Sequence, residues 1–162
     1  AVGVKFPTVK ASLEKFKGIR RRLEWLGREG GVIVLDDYGH HPTEIKATLD
    51  AVREFFAPKR LFACFQPHRY SRTKMLVNDF AAAFEKCDQV WVCPIYAASE
   101  KPIKGVSEDL VIKAMRKRKV NAARFPGRVR DLLPFIKSGD IFITIGAGDV
   151  WKIGEELVRR LI

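Results

Sequence analysis

Apolar runs just long enough for a buried strand alternate five times with stretches whose apolar positions recur every three or four residues, and few folds accommodate that rhythm. The first unit sets "VIVLDDY" (32–38) before "PTEIKATLDAVREFF", where Ile45, Leu49, Val52 and Phe56 share a helical face and Pro42 and Thr43 stand near the start. The next pairs "RLFACFQ" (60–66) with "KMLVNDFAAAFEKC", and the third pairs "QVWVCPI" (89–95) with "SEDLVIKAMRKR". Two more follow, "VNAARF" (120–125) with "VRDLLPFI" and "DIFITIG" (140–146) with "VWKIGEELVRRLI". Strands joined by helices run parallel, and strands covered on both faces read as continuous apolar runs. The expected fold is α/β: a doubly wound, mostly parallel, Rossmann-like sheet of about five or six strands with helices on both faces.

The first thirty residues break the rhythm. "TVKASLEKFKGIRRRLEWLGREGG" reads as a helix running into a basic turn and an irregular glycine-rich stretch. Residues 1–30 are therefore expected to be the tail of a preceding domain and its linker, and 31–162 the α/β domain, with Gly30 and Gly31 at the boundary and a hinge over 28–37. The excess of 30 Lys+Arg over 19 Asp+Glu, a net +11, favours anionic partners. No RNP, KH or helix-turn-helix signature supports nucleic acid among them. No apolar stretch reaches the roughly 18 to 20 residues needed to span a bilayer, and no secretory signal stands out, so a cytoplasmic protein without membrane contact is expected. Three cysteines without CxxC spacing support neither a disulfide framework nor a zinc ribbon, and Cys64 and Cys93 read as small strand residues.

Ligands of open parallel sheets bind outside the carboxyl ends of the strands. "DDYGHHPTEI" (36–45), "QPHRYSRT" (66–73) and "GAGD" (146–149) all fall there. His40, His41 and His68, with Arg69 and Arg72, are expected to face one crevice, Ser71 or Thr73 capping the helix beside them. Guanidiniums beside free backbone N–H groups suit a carboxylate or phosphate, and glycines allow a ligand close to the backbone. Plainer readings stand beside these. His41, next to Pro42, fits a capping role as well as a functional one; Asp36 is read as satisfying loop N–H groups, with Asp37 the less easily dismissed. The "RRR" run (20–22) fits a solvated face, and the glycine pair of "GAGD" fits a simple turn. The arginines would repel a cation and the histidine spacing is not that of a zinc site, so no metal is expected.

Taken together and in this order, "DDYGHHPTEI", "FQPHRYSRT" and "GAGD" resemble the C-terminal domain of the ATP-dependent muramyl ligases of peptidoglycan synthesis, in particular those that join L-alanine to UDP-N-acetylmuramate. "FKGIRRRLEWLG" resembles the end of that family's central domain, and "IYAASEKPIKGVS" (95–107) its segment after the third strand. The resemblance implies a three-domain enzyme that uses ATP and Mg2+ to activate the muramyl carboxylate as an acyl phosphate, which the amine of L-alanine attacks. It implies that Tyr38, His40, His68, Arg69 and Arg72 bind L-alanine, with His40 approaching the amine as base. It also implies that Arg22, Asp37 and Tyr38 contact the nucleotide. The chain has no GxxxxGK[ST] loop, so by itself it is expected to be inactive and to hold no cofactor tightly. A standalone nucleotide- or phosphometabolite-binding module is the alternative, and a nucleic-acid binder a more distant one.

Overall fold

The computed structural model describes residues 3–16, 18–57 and 59–162. Six strands form one sheet: β1 (Glu24–Glu29), β2 (Val32–Asp37), β3 (Leu61–Phe65), β4 (Gln89–Val92), β5 (Ala122–Arg124) and β6 (Ile141–Ile145), in the order β1-β2-β6-β3-β4-β5. Only β1 is antiparallel to its neighbour; β2, β6, β3, β4 and β5 all pair in parallel. Helices α1 (Phe6–Lys15), α2 (Pro42–Phe56), α3 (Tyr70–Met75), α4 (Val77–Ala83), α5 (Glu108–Lys117) and α6 (Trp151–Leu161) complete it with a 3-10 helix over Val129–Phe135. No described helix is long and apolar enough to cross a membrane.

Strand residues alternate between two cores, as the pleat requires. Ile33, Leu35, Ala63, Phe65, Ile141 and Ile143 pack with Leu49 of α2, Phe80 of α4 and Met115 of α5. Val34, Phe62, Trp91 and Phe142 pack on the other face with Leu132 of the 3-10 helix and Leu157 of α6. The sheet is thus doubly wound, as expected. Cys64 and Cys93 belong to this second core and Cys87 to the first, all three as free thiols.

Three elements differ from the sequence reading. The stretch read as irregular is β1, an edge strand whose single covered face and charged Glu24, Arg28 and Glu29 leave only a weak apolar pattern. Gly30 and Gly31, expected to separate two domains, are the two-residue turn of the β1–β2 hairpin, with φ of 55° and 77° that suit glycine. Residues 28–37 are consequently ladder-bonded strand and tight turn rather than a loose joint. The helix expected over 74–87 is broken into α3 and α4 at Leu76, whose φ of −110° and ψ of 19° leave the α region. Over 129–136 the turn tightens to 3-10, where Pro134 has no N–H to continue an α-helix. Helix α1 buries none of its residues and leaves Phe6, Leu13 and Phe16 exposed.

Candidate functional site

Strand β6 lies between β2 and β3, yet the loops leaving β2 and β3 meet above its carboxyl end. The His40 and His68 ring centroids are 5.7 Å apart. Tyr38 stands edge-on to His40 at 5.5 Å, and Tyr96, from the loop after β4, stacks on His68 at 5.6 Å with 11° between planes. Four rings thus form a row: Tyr38, His40, His68, Tyr96.

The loop after β2 is built by its own residues. Asp37, 5% exposed, accepts hydrogen bonds from Gly39 N and Leu23 N, each at 2.8 Å. A Cβ on Gly39 would stand 2.7 Å from Asp37 Oδ1, so only glycine fits this turn. Asp36, wholly buried, accepts from Thr144 Oγ1 at 2.6 Å and from Arg21 Nε at 3.0 Å. Asp37, rather than Asp36 as expected, gathers the loop N–H groups, and Asp36 pairs with a cation. Burial pushes the Asp36 carboxyl up, against the pull of Thr144 and Arg21.

His41 is not in the crevice. Its Nδ1 accepts from Thr43 N at 3.3 Å as the cap of α2, and it borders a 370 Å³ groove with Lys46 and Asp79. Glu44 Oε2 accepts from His40 N and His41 N at 3.0 and 3.1 Å, completing a capping box behind Pro42 at the first helical position. Burial raises the Glu44 carboxyl, but these backbone donors outweigh it and hold it below its ordinary range.

The two crevice imidazoles use Nδ1 in opposite ways. His40 Nδ1 is 3.3 Å from the Tyr38 carbonyl, which can only accept, so Nδ1 carries a proton there. His68 Nδ1 is 3.3 Å from Arg72 Nη1, which can only donate, so Nδ1 accepts and Nε2 carries the proton. Burial, Arg72, His40 and Arg69 all push the His68 pKa down, which keeps that ring neutral.

The loop after β3 is assembled with help from elsewhere. Arg69 begins α3 at φ 70°, ψ 139°, a conformation that costs a non-glycine residue about 1–3 kcal/mol. Its N–H is held by Tyr96 O at 2.8 Å, and its carbonyl accepts from Thr73 N and Thr73 Oγ1 at 3.1 and 2.7 Å. The expected cap from Ser71 or Thr73 is absent. Instead Glu100 accepts from Ser71 N at 3.0 Å and from Ser71 Oγ at 2.6 Å. Among the described residues, neither Arg69 nor Arg72 forms an ion pair.

The "GAGD" glycines lie tightly against the protein's own atoms. A Cβ on Gly146, at φ 148°, would stand 2.7 Å from Gln66 O, and one on Gly148 would stand 2.7 Å from the Tyr96 ring. The "RRR" run is not a uniformly solvated face either. Arg20 lies over Trp151, Arg22 is exposed 5.7 Å from the Tyr38 ring centroid, and Arg21 is drawn inward to Asp36. Sequence reasoning thus missed Arg21, Tyr96 and Glu100. A buried Asp36 demands a cation, which was the one available signal for Arg21.

The carboxyl edge of this parallel sheet thus gathers paired imidazoles and, among the described residues, guanidiniums without an ion-pair partner. The chain belongs to the Mur ligase family, residues 21–148 matching its glutamate ligase domain. More particularly, it is 50% identical over 161 residues to the UDP-N-acetylmuramate–L-alanine ligase of Desulfosudis oleivorans, covering 97% of this chain and 35% of that protein. The enzyme of the same name from Endomicrobium trichonymphae is 46% identical over 99% of this chain and 35% of its own length. In three dimensions the chain resembles the crystal structure of UDP-N-acetylmuramate-alanine ligase from Thermotoga maritima, with a TM-score of 0.77 at 26% identity over 98% of this chain and 34% of that one. The chain spans about 35% of the length of the curated relatives it matches.

Proposed function

We propose that this chain is the amino-acid-binding domain of a cytoplasmic, ATP-dependent ligase that joins L-alanine to UDP-N-acetylmuramate in peptidoglycan synthesis. The observation that carries the reading is the close His40–His68 pair beside two guanidiniums that have no ion-pair partner among the described residues. An amino acid is an ammonium and a carboxylate a few ångströms apart, and this edge offers a counterpart to each. Arg69 and Arg72 hold the carboxylate, with His68 Nε2–H as an added donor. His40 Nε2 accepts the ammonium proton, because only the free amine is a nucleophile. Tyr38 packs against His40 and closes one end of the site.

ATP supplies the phosphoryl group that activates the muramyl carboxyl. Exposed Arg22, above Tyr38, is oriented to reach its phosphates, while Tyr38 lies beside the nucleotide and Asp37 fixes the loop that meets the ribose. Among the described residues no group of three or more His, Cys, Asp and Glu could hold a metal, so those residues do not fit a Mg2+ site. Most of the ATP site and the UDP-sugar site belong to further domains, joined through the segment before β1. By itself the chain is inactive.

The test is ADP release by the full-length protein carrying this chain, with ATP, UDP-N-acetylmuramate and single amino acids. Turnover that depends on L-alanine is expected; turnover indifferent to alanine, or catalysis by the isolated chain, would refute the proposal.

A further inference from the structure

We propose that Arg21 is a positioning residue for the amino-acid site, holding both ends of the Tyr38–His40–His68–Tyr96 row in register; the inference rests on the functional reading above. Arg21 lies outside the row and its side chain is only 18% exposed, so it is not a free hand for substrate. Its guanidinium instead bridges two elements. Nε donates to Asp36 Oδ2 at 3.0 Å, at the end of β2, while Nη1 and Nη2 donate to the carbonyls of Gly148 and Gly146 at 3.1 and 2.5 Å, in the loop after β6.

Each attachment leads to one end of the row. At the first end, Arg21 O accepts from Tyr38 N at 2.7 Å and the guanidinium lies 4.9 Å from the Tyr38 ring centroid. Tyr38 in turn supplies the carbonyl that accepts from His40 Nδ1 and so fixes the direction of that ring. At the second end, Gly148 lies so close to Tyr96 that no Cβ would fit between them, and Tyr96 stacks on His68. A shift of the Gly146–Gly148 loop therefore reaches His68, and a shift of Tyr38 reaches His40. Arg21 itself sits at φ 60°, and its own N–H is held by Glu24 Oε2 at 2.7 Å, so the surrounding contacts over-determine an unfavourable backbone. Lysine cannot substitute: one ammonium at the end of a flexible stem cannot satisfy a carboxylate and two carbonyls from a planar fork.

The experiment uses Arg21→Lys in the full-length ligase, which keeps a cation opposite buried Asp36. Misplacing a pocket by about an ångström costs up to about a hundredfold in rate. The expected result is a fall of about tenfold or more in kcat/KM for L-alanine, with a clearly smaller change in the KM for ATP, whose site Arg21 reaches only through Tyr38. Unchanged alanine kinetics would overturn the proposal. So would an equal loss for alanine and ATP that tracks a loss of folded protein, the signature of a merely structural arginine. Should Arg21→Lys fold poorly, Asp36→Asn, which keeps both carbonyl contacts, must give a smaller loss with the same selectivity for alanine; a nonselective loss counts against the idea. If the unaltered full-length protein shows no alanine-dependent ADP release, the functional reading has failed first.

Discussion

The loops after β2 and β3 bring one histidine each to the same row, but one is capped by its own residues and the other takes its cap from a distant segment. In the first, Asp37 accepts from Gly39 N, Glu44 from His40 N and His41 N, and His41 from Thr43 N, all within the eight residues 37–44. In the second, α3 begins on the strained Arg69 and takes its cap from Glu100, which lies 29 residues beyond Ser71. Tyr96 O holds the Arg69 N–H from the same distant segment, where Ala98 and Ser99 also have positive φ, at 47° and 71°. The self-capped loop meets its neighbours through Leu23 N, which donates to Asp37, and through Arg21 O, which accepts from Tyr38 N. The loop that presents Arg69 and Arg72 takes its cap from the β4–α5 segment, so recognition of the carboxylate depends on that distant segment staying docked.

The largest expected effect comes from the second loop's own side chain. Arg69→Ala in the full-length enzyme raises the KM for alanine about a hundredfold, the loss of about 2–3 kcal/mol that follows removal of a charged hydrogen-bond partner, with ATP binding near normal. Steady-state kinetics with each substrate varied decides it; unchanged alanine kinetics would remove Arg69 from the site. Next comes Glu100→Gln, which keeps the size of the cap and removes its charge. Alanine KM rises about tenfold, because the strain at Arg69 loses part of its support. If Glu100→Gln leaves alanine KM alone, the second loop's distant cap does not matter to binding.

A titration sharpens the same contrast. Burial first, then the charges of Arg72, His40 and Arg69, hold the His68 pKa below its ordinary value. The sign follows: His68 stays neutral in the folded protein as pH falls through its ordinary value of 6.5, and the folded state loses stability relative to the unfolded from there down to the lowered value. Arg72→Gln removes one of the depressing charges, so the His68 midpoint moves upward toward the ordinary value. Histidine ring resonances followed against pH report it. A downward or absent shift would mean that Arg72 does not face His68.

The same asymmetry explains what was legible in the sequence. The parallel sheet was readable because β2, β3 and β6 are buried along their whole length and therefore spell continuous apolar runs. His40, His68, Arg69 and Arg72 were readable because the strand order carries strand ends to one edge, whatever the loops do in detail. The hidden parts were long-range or one-sided. Glu100 and Tyr96 act on α3 from another loop, and no local pattern announces a cap supplied from 29 residues away. Edge strand β1 shows too little burial to stand out from a linker. Arg21 sat inside a basic run whose members differ only in which way the backbone turns, with φ 60° sending it inward.

The smallest expected effect is the most direct attack on the contrast. His41→Ala removes one of the two acceptors at the start of α2, yet Glu44 still accepts from both His40 N and His41 N, so the loop does not come undone. Loss of a single cap contact costs about 0.5–1 kcal/mol, visible as a lowered denaturation midpoint. Alanine KM should move by less than about twofold, since His41 faces the groove beside Lys46 and Asp79 rather than the ring row. A change in alanine KM as large as that of Glu100→Gln would show that the first loop is as dependent on its cap as the second. The two histidine-bearing loops would then be alike in the respect that separates them here.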